Sequence, residues 1–256
     1  MTPQTLADML RTAEATASPI APIRDHLPDA AAAYAVQELN TQARLKAGGR
    51  LVGRKIGLTN PAVQVQLGVD QPDYGMLFAD MDLPHGDELA WSEGAQYKAE
   101  AELAFVLGRD LLHADCSMAE VMRAVEYVVP ALEIVGSRIA NWDIRFVDTV
   151  ADNASSAFFT LGPSARKLTE ADLLDCRMEM KSGDQIVSQG SGRACLGSPL
   201  NAMLWLARTM ASAGRPLSEG DIVLSGALGP MVAATPGASF TANIEGFGET
   251  SIRFGE

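Results

Sequence analysis

Hydrophobic and polar positions change period along this chain. Through residues 1–49 apolar residues return every three or four positions, the spacing of helices with one buried face. Thr2-Pro3 opens a first predicted helix, with Leu6, Met9, Leu10 and Ala13 on one side. A second runs from near Asp29 to Gly48-Gly49, with Ala32, Val36, Leu39 and Ala43 as its stripe. From Arg50 to Leu58 the pattern turns strand-like. Asn60-Pro61 reads as a cap followed by proline at the first helical position, and Gly68 would stop that short helix. Residues 69–75 carry loop chemistry.

Beyond that point strands dominate. In residues 98–107 the alternation puts Ala99, Ala101, Leu103, Phe105 and Leu107 on one face, and Lys98, Glu100 and Glu102 on the other. Ser117 and Glu120 form a capping box for a helix burying Met118, Val121, Met122 and Val125. Residues 128–135 are an apolar run with Glu133 inside it. Residues 176–182 alternate and turn through Ser182-Gly183-Asp184 into a partner strand at 185–188. Ser198-Pro199 opens a helix ending at Gly214, with Leu200, Met203, Leu204, Ala207 and Met210 on one side. Three short strands follow, near 222–225, 239–244 and 250–254. Strands and helices do not alternate as in a doubly wound fold. The expected class is therefore α+β, a helical N-terminal region (1–49) followed by a β-rich core (50–256).

Charge narrows the function. The 256 residues carry 20 Lys and Arg against 32 Asp and Glu, a formal net charge of -12. Nucleic-acid binding needs a basic surface, so that class is excluded. A small anionic substrate fits only where positive charge is focused locally. Cys116, Cys176 and Cys195 are far apart and form no C-x-x-C or Cys/His cluster, which excludes a zinc site and points to a reduced, cytoplasmic setting. No apolar run is long enough for a membrane span, and the acid-bearing start is unlike a signal peptide.

Glu100 and Glu102 carry the most chemistry. Side by side on one strand face, two like charges repel unless something positive lies between them. The bland alternative is a solvated face. Glu133 shifts the balance, because its neighbours require burial and a buried carboxylate must be paired, protonated or bound to metal. An ion pair with Arg138 or Lys98 would also satisfy it. Three carboxylates would form an oxygen-only site suited to Mg²⁺ or Mn²⁺. His26, His85 and His113 have no partner motif, Cys195 has no base in view, and Trp142 and Trp205 read as packing residues.

Six segments occur in order: Gly53-Arg-Lys-Ile-Gly-Leu-Thr59, Gly68-Val-Asp-Gln-Pro-Asp-Tyr-Gly75, Glu100-Ala-Glu102, Pro130-Ala-Leu-Glu133, Val147-Asp-Thr-Val-Ala-Asp-Asn153 and Gly220-Asp-Ile-Val-Leu-Ser-Gly226. Together they resemble the hydratase/decarboxylase branch of the fumarylacetoacetate hydrolase superfamily. The resemblance implies a β-rich core with the site at an open end, and metal ligands at Glu100, Glu102 and Glu133. It places Lys55, otherwise readable with Arg54 as a surface cation, in the pocket as a proton-transfer or substrate-orienting group, and Asp73, otherwise a turn residue, in the acid/base apparatus; a lysine held near a cation could have a lowered pKa and act as a base. It sets Asp148, Asp152 and Asn153 to line or brace the site, and the turn at Ser225 and Gly226 to hold a substrate carboxylate. Many relatives carry Pro-Arg where this chain has Tyr97-Lys98, which keeps the charge and loses the arginine fork.

The implied activity is Mg²⁺- or Mn²⁺-dependent addition of water to 2-hydroxypenta-2,4-dienoate in aromatic meta-cleavage catabolism, giving 4-hydroxy-2-oxopentanoate. Decarboxylation of 4-oxalocrotonate is the alternative the same segments imply, and a non-catalytic subunit serving a partner enzyme is a third. A homo-oligomer, with association to a neighbouring pathway enzyme, is implied as well.

Overall fold

The structure, a computed structural model, describes residues 1–60, 64 and 69–256. The short helix expected after Asn60-Pro61 lies outside the described residues. Two helices lead the chain: α1 (Pro3–Thr16), capped by Thr2 with proline in its first turn, and α2 (Ala30–Lys46), capped by Asp29. In order there follow β1 (Leu51–Gly57), β2 (Asp73–Phe78), β3 (Asp82–Leu83), β4 (Glu88–Leu89) and β5 (Tyr97–Leu107). Next come α3 (Met118–Ala124), β6 (Val125–Gly136), α4 (Phe146–Ala151), β7 (Ser156–Leu161), β8 (Arg177–Ser182) and β9 (Gln185–Ser191). The chain closes with α5 (Pro199–Ser212), β10 (Ile222–Leu224), β11 (Val232–Ala233), β12 (Ser239–Ile244) and β13 (Gly248–Phe254).

The fold is α+β, with the strands in two sheets. The larger runs β2-β1-β10-β5-β6-β7-β3, with β11 added beside β5; the smaller runs β4-β13-β12-β8-β9. One apolar core joins both sheets to α5 through Phe105, Phe159, Met203, Leu206, Phe240 and Phe254. A second joins α1, α2 and α4 through Leu6, Leu10, Val36, Phe146 and Val150. Among the described residues no helix is long and apolar enough to cross a membrane.

Four local expectations need correction. Asp73, Tyr74 and Gly75 belong to β2 and not to a loop; pairing with β1 overrides the turn-prone composition after Pro72. Helix α3 is short, and Met122 faces solvent, because the chain turns into β6 at Val125. The buried side of α2 is rotated from the apolar stripe and includes Gln37 and Thr41. On α5 the fully buried side is Ala202, Met203, Leu206, Ala207 and Met210, leaving Leu200 and Leu204 at its margin.

Candidate active site

Strands β5 and β6 are the two longest, and they pair antiparallel along their length. Register sets Glu100 directly opposite Glu133, with Glu102 two positions further along β5 and opposite Ala131. The alternation expected for residues 98–107 holds: Ala99, Ala101, Leu103 and Phe105 enter the core while the glutamates share the other face. One carboxylate oxygen from each of Glu100, Glu102 and Glu133 lies within 4.8 Å of the others. Glu102 and Glu133 are fully buried, and Glu100 sits on the more open side.

Lys55 supplies the nearest positive charge. It reaches the cluster from β1, its Nζ lying 3.0 Å from Glu133 Oε2, with both side chains buried. The partners first considered for Glu133 are engaged elsewhere. Arg138 pairs with Asp152, and Lys98 sits 4.0 Å above the Trp142 ring. Asp73 stands on β2 opposite Gly57 of β1. A Cβ on Gly57 would overlap Asp73 Oδ1 and come 3.5 Å from Lys55 Nζ, so the bare glycine makes room for Asp73 and Lys55 to converge.

These charges reshape one another's titration. Burial pushes Glu100 up to about 7, with Lys55 opposing and Glu133 and Asp73 reinforcing the shift. Burial, then Glu133 and Glu100, push Glu102 well above the carboxylate range. Glu133 is raised by burial, against the pull of Lys55. Asp73 rises to about 6, chiefly through burial, with Lys55 pulling it down. Burial works against the Lys55 charge, but Glu133, Glu100, Asp73 and Glu102 outweigh it and raise its pKa. The lowered lysine pKa expected from a neighbouring cation therefore does not arise from the protein's own charges.

The cluster fits a hard divalent cation. Glu102 Oε1 and Glu133 Oε1 are buried without a hydrogen-bond partner, as is Asp73 Oδ1. Uncompensated acceptors of this kind are costly, and a cation bound by carboxylate oxygens relieves the cost. Cysteine and histidine are absent from the donor set, which favours Mg²⁺ or Mn²⁺ over zinc.

The remaining candidate residues are occupied. Gly226 N–H donates to Glu102 Oε2 at 2.8 Å, so this turn orients a glutamate. The Ser225 hydroxyl accepts from Leu103 N–H at 3.2 Å and donates to Gly226 O at 3.0 Å, prolonging the pairing of β10 with β5. Asp152 binds Arg138 through both carboxylate oxygens. The Asn153 amide is spent on the backbone of Met76. Asp148 accepts from Ile23 N–H and pairs with Arg24, tying the segment after α1 to α4.

Two residues escaped sequence reasoning. Ser156, at the start of β7, brings a buried hydroxyl to Glu133, where it works with Lys55 against the upward pull of burial on that carboxylate. Tyr34 on α2 stacks on Tyr74 with ring centroids 4.4 Å apart. Burial and then the Asp73 charge raise the Tyr34 pKa, against a backbone hydrogen bond from Tyr74. Nothing local marks either residue, because both depend on contacts between distant segments.

A carboxylate triad with two members fully buried, one lysine and one aspartate, on a two-sheet α+β frame, defines a candidate metal-dependent enzyme acting on a small acid. Residues 50–254 match the family model described as fumarylacetoacetate (FAA) hydrolase C-terminal, and the chain belongs to that family. It is 58% identical over 256 residues to 2-keto-4-pentenoate hydratase 2 of Dechloromonas aromatica (strain RCB), spanning 99% of this chain and 98% of that one. It is 56% identical over 250 residues to the TodF product hydratase of Pseudomonas putida F1, spanning 97% and 93%. Among solved structures, 4-oxalocrotonate decarboxylase from Pseudomonas putida G7, complexed with magnesium and adipate, superposes with a TM-score of 0.94. That likeness covers 98% of this chain and 96% of the other at 32% identity.

Proposed function

We propose that this chain is a hydratase that adds water to 2-hydroxypenta-2,4-dienoate, giving 4-hydroxy-2-oxopentanoate. The observation that carries the reading is the buried meeting of Glu100, Glu102 and Glu133 with Lys55, in a chain more than half identical to hydratases along its length. Glu100, Glu102 and Glu133 would hold Mg²⁺ or Mn²⁺. The ion, when bound, supplies Lewis acidity to a 2-oxo acid.

The chain's own groups then have defined tasks. Lys55 offsets the carboxylate charge and gives an anionic substrate a local cation in a protein of net charge -12. Ketonisation of the dienol removes the proton from the C2 hydroxyl and adds one at C5, leaving a C3–C4 double bond conjugated to the C2 carbonyl. Water then adds with its oxygen at C4 and a proton at C3. Asp73, raised to about 6, is suited to take up and return protons near neutral pH. Lys55 is held charged by four carboxylates, and would release a proton readily only once a bound cation offsets them. Gly226 and Ser225 orient Glu102, while Asp152 and Asn153 brace the frame around the site. We assign the enzyme to the cytoplasm, consistent with three unpaired cysteines, and the family resemblance carries the expectation that it self-associates.

Purified protein with Mg²⁺ or Mn²⁺ should abolish the ultraviolet absorbance of the dienoate and yield 4-hydroxy-2-oxopentanoate. An unchanged absorbance refutes the reading. The decarboxylase likeness makes 4-oxalocrotonate the comparison substrate. Carbon dioxide release from it, exceeding dienoate hydration, would favour decarboxylation.

A further inference from the structure

Strand β2 lies at the end of the larger sheet, so among the described residues one row of its backbone groups has no neighbouring strand. Such groups require partners when buried. Side-chain amides supply them. Gln37 Nε2, on α2, donates to Tyr74 O at 2.9 Å and to Val150 O at 3.0 Å. Asn153 Oδ1 accepts from Met76 N–H at 2.7 Å, and its Nδ2 donates to Met76 O at 3.0 Å. This two-point match to one residue reproduces what an antiparallel neighbour would provide. Gly75 permits the approach, since a Cβ there would overlap Asn153 O.

Asn153 also opens a run of three left-handed residues, Asn153, Ala154 and Ser155, at φ 53°, 50° and 56°. Non-glycine residues hold that conformation only where their surroundings enforce it. Arg138 enforces it here. Buried against the turn, it binds the Asp152 carboxylate and donates to the carbonyls of Gly136, Asp152 and Ser156.

We infer that Gln37 and Asn153 are positioning residues for Asp73, their carboxamides holding the free edge of β2 in place of a neighbouring strand. Neither needs to touch substrate; both act through the backbone at positions 74 and 76. This role rests on the proton-transfer function proposed for Asp73. It brings the N-terminal helices, which precede the family match at residue 50, into the working of the site.

Three variants test it. Asn153→Gly accepts the left-handed φ without steric cost but loses both hydrogen bonds. Asn153→Asp keeps the acceptor for Met76 N–H and loses the donor. Gln37→Met keeps the length and loses the donor to Tyr74. Each is followed by turnover of the dienoate, Mn²⁺ titration and hydrogen exchange of peptides spanning residues 73–78. In Asn153→Gly, exchange in that segment should quicken by about tenfold, with residues 128–135 unaffected. Its kcat should fall on the order of 10²-fold, while KM and Mn²⁺ affinity stay within about twofold of wild type. Asn153→Asp should recover part of the lost kcat, and Gln37→Met should lose roughly tenfold.

Unchanged exchange and full kcat in Asn153→Gly would overturn the inference. So would Mn²⁺ affinity falling in step with kcat in both Asn153→Gly and Gln37→Met. Exchange requires no turnover. A wild-type chain that hydrates no dienoate would therefore fail the proposed reaction, while the clamp would stand or fall on residues 73–78.

Discussion

Glu100, Glu102 and Glu133 stand on two strands that pair along their length, whereas Asp73 stands on an edge strand whose free side is filled by Gln37 and Asn153. In the first region backbone register brings the three carboxylates together, with Gly226 N–H fixing Glu102 and Lys55 pairing with Glu133. In the second, side chains from residues far apart in sequence hold the backbone. The difference separates two tasks. On the proposed reading, metal binding would depend on one strand pair, and proton transfer on contacts that converge from α2, from the turn before β7 and from β1. A substitution in either region should therefore damage one task and spare the other.

The largest effect is expected from Glu102→Gln. It removes a buried anionic ligand while preserving shape, so Mn²⁺ binding should be lost and turnover should fall on the order of 10³-fold or more. Circular dichroism and a thermal melt should show the fold retained. Lys55→Met comes next. It should cut kcat by about 10²- to 10⁴-fold, the usual range for loss of a proton-transfer group, with Mn²⁺ still bound in a direct titration. Gly57→Ala is a subtler blow to the same side. Its new methyl group overlaps the position of Asp73 Oδ1, and kcat should drop by roughly tenfold to 10²-fold without loss of Mn²⁺ binding. Equal damage to metal binding from Gly57→Ala and Glu102→Gln would erase the distinction between the two regions.

The smallest effect concerns pH. Asp73 rises from 3.8 to about 6 and Glu100 from 4.5 to about 7, each chiefly by burial. A carboxyl group with a folded-state pKa above its unfolded value takes up protons on folding. Its contribution to stability is therefore present at low pH and lost as pH rises through the folded pKa. Protein treated with a chelator should melt a few degrees higher near pH 5 than near pH 7.5. Saturating Mg²⁺ should raise the melting temperature most at the higher pH, where the carboxylates are free to bind it. A chelated sample that melts higher at pH 7.5 would contradict the assignment of these groups.

The two regions also differ in how openly the sequence displays them. Period-two alternation around Glu100 and Glu102, and a lone acid at Glu133 inside an apolar run, expose the carboxylate cluster, because its logic is local to each strand. The cation serving Glu133 was harder to read. Lys55 enters through β1, which joins β5 only across β10, a strand from residues 222–224. Asp73 was hidden by Pro72 and Gly75, whose turn chemistry masks a buried edge strand. Gln37 was hidden because a helical stripe is sought among apolar residues, and its partner Tyr74 belongs to another element. The left-handed turn at Asn153, Ala154 and Ser155 contains no glycine to announce it. Its conformation is imposed by Arg138 and Met76, and so belongs to the tertiary structure.

Calorimetric titration of the chelated protein with Mn²⁺, wild type beside Glu133→Gln, addresses the central claim most directly. One ion should bind per wild-type chain, and binding should vanish or weaken by orders of magnitude in the variant, because β6 then offers no carboxylate opposite Glu100. Wild-type affinity retained by Glu133→Gln would place the ion elsewhere and contradict the site described for this enzyme.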